Sequence, residues 1–166
     1  MYLDVDPQGQ DDGRKFMDAG RVFFKPGARP DASRSMGFKS RDVYCVAPVS
    51  SGPARSYDFW AVGMNCCSEG EFNCGDVYDP RADAGLRLLD DGQRPYFRLA
   101  VQEAEAAFGV RAQHPIFLHW MRDPNKEVAA YPKKVHQRFT MAVWCSLGLQ
   151  AFLVAVLAVT LVRVGA

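Results

Sequence analysis

The sequence predicts an α+β domain, a small antiparallel sheet with one main helix pinned by disulfides, followed by a C-terminal transmembrane helix. Three observations carry that prediction. Runs of β-branched and aromatic residues, separated by turn residues, surround one stretch of helical periodicity. Four cysteines, Cys45, Cys66, Cys67 and Cys74, lie close together in the same region. The run from Phe139 to Val162 has no charged residue and, as a helix, would cover the roughly 30 Å hydrocarbon core of a bilayer.

Residues 1–20 are rich in Asp, Gly and Gln and show neither helical nor alternating apolar order, so they read as an irregular arm. Arg21 to Lys25 is a short strand candidate ended by Pro26 and Gly27, and the polar segment through Ser35 reads as loop. Val43 to Val49 and Tyr57 to Met64 form the expected antiparallel pair, with Ser50, Ser51, Gly52 and Pro53 between them. At alternating positions of the second strand, Trp60 is expected in the core and Phe59 at the surface. Gly85 to Asp90 gives another strand. Pro95 suits the first turn of a helix, where a missing N–H costs nothing, and Leu99, Ala100, Glu103, Ala104 and Ala107 continue it at helical spacing until Gly109 stops it. Pro115 to Met121 is a final strand, and Asp123 with Pro124 opens a short helix. The chain thus divides into an arm (1–20), an α+β cysteine domain (21–124), a basic juxtamembrane segment (125–138) and the spanning helix (139–162).

Adjacent Cys66 and Cys67 do not readily bond to each other, because the eight-membered ring strains the peptide. Two disulfides therefore join Cys45 to one of them and Cys74 to the other. A four-thiolate metal site is the competing reading, but Cys45 has no partner two to four residues away, so no metal is expected. Within the spanning helix, Gln150 needs a hydrogen-bond partner and points to a neighbouring helix, while Ser146, Gly148 and Ala151 are small enough for close packing. Phe139 and Trp144 stand where an interfacial aromatic belt belongs.

A net charge of +1 gives no electrostatic case for nucleic acid. His114, His119 and His136 fall into no HExxH, GxSxG or CxxC pattern, and Glu103 and Glu105 do not share a helical face, so no catalytic set is expected. Gly63, Gly70, Gly75 and Gly85 are too scattered for a phosphate loop, and Asp4, Asp6, Asp11 and Asp12 lack the spacing of a calcium loop. A thiol oxidoreductase would require an accessible thiol of low pKa at Cys66 or Cys67.

The succession YCVAPV (Tyr44 to Val49), YDFWAVGMNCC (Tyr57 to Cys67), FNCGD (Phe72 to Asp76), ADAGLRLLD (Ala82 to Asp90), FRLAVQEAEAAFGV (Phe97 to Val110) and HPIFLHWMRDP (His114 to Pro124) resembles a group of uncharacterised dinoflagellate membrane proteins. The resemblance covers about residues 40 to 165 and implies no catalytic residue. Gln150, the small residues of the span and the absence of a reactive constellation lead to the expectation of a non-catalytic, membrane-anchored accessory subunit among other membrane protein subunits of a large complex; the resemblance makes a plastid photosystem with its antenna the first expectation for that complex and a respiratory complex the second. Contact with chlorophyll or carotenoid would follow from a thylakoid location alone. Lys133, Lys134 and Arg138 before the helix favour a domain on the cytoplasmic or stromal side, whereas disulfides favour the luminal side, which is the expectation adopted. The alternative is a membrane-tethered binding module that recognises a ligand or protein through the loops around Cys66 to Asp79.

Overall fold

The computed structural model describes residues 1–8, 13–54, 56–68 and 71–164; residues 68, 133–135, 155, 156, 158, 159, 161, 162 and 164 are described by backbone alone. Asp11, Asp12 and Gly70 lie outside the described residues, as do the side chains of Lys133 and Lys134. Two compact units result, Met1–Pro124 and Asn125–Ala166.

Among the described residues the first unit has ten strands: β1 (Tyr2–Val5), β2 (Arg21–Phe24), β3 (Arg29–Pro30), β4 (Met36–Lys39), β5 (Val43–Ser50), β6 (Phe59–Met64), β7 (Cys67–Ser68), β8 (Glu71–Phe72), β9 (Ala84–Arg87) and β10 (Ile116–Met121). Helix α1 (Arg94–Phe108) stands between the last two. The main sheet runs β1-β2-β9-β10-β6-β5, with β3 and β4 sharing the free side of β5, and β7 and β8 make a separate small hairpin. The sheet is mixed and not purely antiparallel. β1 is parallel to β2 and β6 is parallel to β10, while the remaining pairs are antiparallel. Neither parallel pair is a hairpin: β1 and β2 are separated by the Gly13–Phe16 turn, and β6 and β10 by β7, β8, β9 and α1, and connections of that length allow parallel pairing where a tight turn does not. The N-terminal stretch, expected to be irregular, supplies edge strand β1 and a 3₁₀ turn (Gly13–Phe16) that carries Phe16 into the core.

The sheet is covered on both faces, and the period of two along its central strands sorts residues between two cores. Cys45, Ala47, Phe59, Ala61, Ile116, Leu118 and Trp120 enter one core, with Phe16 and Phe72 closing it. Tyr44, Val46, Trp60, Val62 and Phe117 enter the other, beneath Phe97, Ala100, Val101 and Ala104 of α1. Phe59 is therefore not a surface residue: it is 2% exposed, because the N-terminal segment and the loop after β6 roof the face that would otherwise meet water. The buried stripe of α1 is also rotated from the expected one. Leu99 is exposed at 41%, and the residues at i, i+3, i+4 and i+7 from Phe97 are buried. Gly109 ends the helix in the left-handed conformation at φ 64°, donating its N–H to the Glu105 carbonyl at 3.1 Å.

The second unit is one helix, α2 (Pro124–Val164), with Pro132 inside it. The expectation of a transmembrane anchor is overturned here. Among the described residues no helix is long and apolar enough to cross a membrane. Lys126, Glu127 and Arg138 put charge on the first part of α2, and Thr140, Ser146, Gln150 and Thr160 are polar positions in the part that follows. The single-pass integral-membrane location and the interfacial setting of Phe139 and Trp144 fall with that expectation.

Candidate functional site

Cys45 lies near the start of β5 with a glycine opposite it on each side, Gly37 on β4 and Gly63 on β6. Those glycines make room for sulfur. A Cβ on Gly37 would stand 2.8 Å from Cys67 Sγ, and one on Gly63 would stand 2.5 Å from Cys66 Sγ and 2.7 Å from Cys74 Sγ. Into this notch fold two disulfides, Cys45–Cys67 and Cys66–Cys74, with Cα atoms 5.7 and 5.1 Å apart. The sulfurs of Cys45, Cys66 and Cys74 lie within 4.8 Å of one another, a spacing that thiolates would need around a metal. Bonded as disulfides, they offer no thiolate. They tie the loop after β6 to the sheet.

A second constellation was not legible as a site. Asp58, the Asp of the DFWAVG run, is 8% exposed. Its Oδ2 accepts the Gly13 N–H and its Oδ1 the His114 N–H, both at 3.0 Å, and the Ser56 hydroxyl donates to Oδ1 at 3.3 Å. One carboxylate thus fastens the N-terminal segment and the approach to β10 onto β6. Beside that approach lies a cavity of about 420 Å³, lined by Met17, Arg94, Pro95, Arg98, His114 and Phe117 among others. Arg98 Nη1 is buried with no hydrogen-bond partner. Arg94, one turn earlier on α1, pairs with Asp91 Oδ1 at 3.1 Å in an exposed setting. Close by, the Arg87 guanidinium donates to the Phe16 carbonyl at 3.3 Å; burial holds its pKa below the ordinary value, the charge of Arg94 adds to that, and Asp18 opposes it. The one signal in sequence was a pair of arginines four apart on α1 with no acidic residue three or four positions from Arg98.

His119 on β10 is half-buried, and burial lowers its pKa, against which a hydrogen bond to the Val62 backbone acts. His114 contributes its backbone to Asp58, and His136 belongs to α2.

On α2 the side chains expected to pack against a neighbour are exposed. Ser146 and Gln150 stand one above the other, Gly148 is on the opposite face with nothing near it, and Ala151 is between. Thr140 and Thr160 turn their hydroxyls back onto carbonyls of their own helix, to His136 at 2.9 Å and Leu157 at 2.8 Å. Phe139, Trp144, Leu147, Leu149, Phe152, Leu153, Val154 and Leu157 are all between 51% and 73% exposed. At roughly 100° per residue they leave no gap wider than about 60–80° around the helix, so the apolar surface is a sleeve and not a stripe. Cys145, the remaining cysteine, is a free and exposed thiol on the same sleeve. No protein-family profile, curated protein or solved structure matches this chain.

Proposed function

We propose that the chain is a non-catalytic accessory subunit of a larger protein assembly, in which α2 is buried among partner helices and residues 1–124 form a rigid body. The sleeve of exposed apolar residues from Phe139 to Leu157 carries this reading. A helix that needs only one partner presents a stripe; one that is apolar all round needs neighbours on every side, as in the interior of a large assembly. A covering of that kind over eight large side chains, at about 1.5–3 kcal/mol each for full burial, is ample to hold a subunit in place. The first unit supports the same role. Its cysteines are locked in bridges that hold the loop after β6, so what it offers is shape and rigidity.

The test is to isolate the chain from its native cells under mild conditions and compare it with a Leu149→Lys, Leu153→Lys variant. The wild-type chain is expected to comigrate in fixed stoichiometry with a defined set of proteins, and the variant to be released as a folded monomer. A wild-type chain that stays single and dispersed, or one that floats with protein-free liposomes, would overturn the proposal.

A further inference from the structure

We propose that the cavity between the first turns of α1 and the His114–Phe117 segment binds a small organic carboxylate with a flat apolar body. This is independent of the fate of α2, since every lining residue belongs to the first unit.

Arg98 carries the unsatisfied donor. A buried guanidinium nitrogen without a partner is left with its desolvation uncompensated, and native proteins keep few such groups without a use for them. Here Nη1 is in that state, on a residue that lines the cavity. The surroundings favour negative charge. Arg94 lines the same cavity, Arg87 is near enough to Arg94 to feel its charge, and the first turn of α1 has no acidic side chain. Asp91 neutralises part of Arg94, and Asp18 part of Arg87, but neither lines the cavity. The N–H groups of the first helical turn add positive potential in the same place.

The walls select the rest of the ligand. Phe117 is 7% exposed and presents a ring, Pro95 and Met17 add apolar surface, and 420 Å³ is within the range of small-molecule sites. Inorganic phosphate would satisfy the cations but leave those walls bare. A carboxylate is planar, matches the guanidinium fork, and carries its apolar body on the far side of the carboxyl carbon.

The test uses the full chain and three probes by calorimetric or NMR titration: benzoate, its uncharged analogue benzyl alcohol, and inorganic phosphate. Benzoate is expected to bind at least about tenfold more tightly than either other probe, from the charge-assisted hydrogen bonds to Arg98. Arg98→Met should weaken benzoate at least about tenfold while leaving Tm unchanged or higher, since it removes a buried unpaired nitrogen. Arg98→Lys, which keeps the charge without the fork, should fall between the two and serves if the methionine variant does not fold. Equal binding of benzyl alcohol would overturn the proposal by showing only an apolar pocket. Equal or tighter binding of phosphate would do so by showing an adventitious anion only. So would wild-type affinity in Arg98→Met, or no binding of any probe up to about 10 mM.

Discussion

Asp58 shows how much of this fold depends on one carboxylate. It accepts backbone N–H groups from Gly13 and His114, residues far from it in sequence and from each other, and its own carbonyl accepts the Ile116 N–H at 2.6 Å. Removing the carboxylate leaves two donors to find water or remain unpaired, at about 1–3 kcal/mol each. Asp58→Ala is therefore expected to cost about 2–4 kcal/mol in urea unfolding. Asp58→Asn, which keeps one acceptor oxygen, should cost less. A loss under about 1 kcal/mol in the alanine variant would show that the two segments are held by packing alone. Sequence pattern placed this residue inside a strand but gave no sign of its partners, because hydrogen bonds between distant segments leave no periodicity. Arg98 was hidden for the same reason: its cavity is assembled from three separate stretches.

The disulfides belong to the scale of elements: Cys45–Cys67 joins β5 to β7, and Cys66–Cys74 joins the two residues that flank the β7–β8 hairpin. Cys45–Cys67 closes a separation of 22 residues and Cys66–Cys74 one of 8. In the chain-entropy account these are worth about 3.4 and about 2.5 kcal/mol respectively. The Cys45→Ala, Cys67→Ala pair should accordingly lower stability by about 1 kcal/mol more than the Cys66→Ala, Cys74→Ala pair, and more again because Cys45 is fully buried between Gly37 and Gly63. Unfolding of the two double variants under oxidising conditions would decide it; the reverse order would place the stabilisation in local loop packing. The adjacency of Cys66 and Cys67 made separate bridges legible in the sequence, and the strands Val43–Val49, Tyr57–Met64 and Pro115–Met121 were legible from their β-branched and aromatic content. What composition could not show was that both faces of the sheet are covered. That fact buries Phe59 with Trp60, turns Phe97 and Val101 of α1 inward, and makes a strand of Tyr2–Val5. The apolar run after Phe139 was legible too, but its reading as a span, from its length and lack of charge, is not upheld: among the described residues no helix is long and apolar enough to cross a membrane.

For the whole molecule, a net charge of +1 means that stability near neutrality is not governed by overall self-repulsion but by a few placed groups. His119 is one. Its folded pKa is below the ordinary 6.5 because burial disfavours the imidazolium. As pH falls below about 6.5 the unfolded chain takes up that proton first, so stability is highest above this point and declines toward the lower folded pKa. Asp79 acts in the same direction further down. The Arg81 backbone N–H, 2.9 Å from its carboxylate, leads in holding its pKa below 3.8, so the stability it supplies at higher pH is lost as pH falls below that value. At the alkaline end Tyr44 is raised above 10.0, first by burial and then by Tyr96, whose ring stacks on it at 4.6 Å. Its contribution is complete below 10 and is lost as pH rises through the folded value. Denaturant midpoints should thus be flat from about pH 7 to about pH 9.5 and fall in two acid steps and one alkaline step. In His119→Gln the first acid step should disappear while the second remains, because glutamine can still donate to the Val62 carbonyl but takes up no proton. Persistence of an unchanged first step in that variant would assign it to another group and remove His119 from the account.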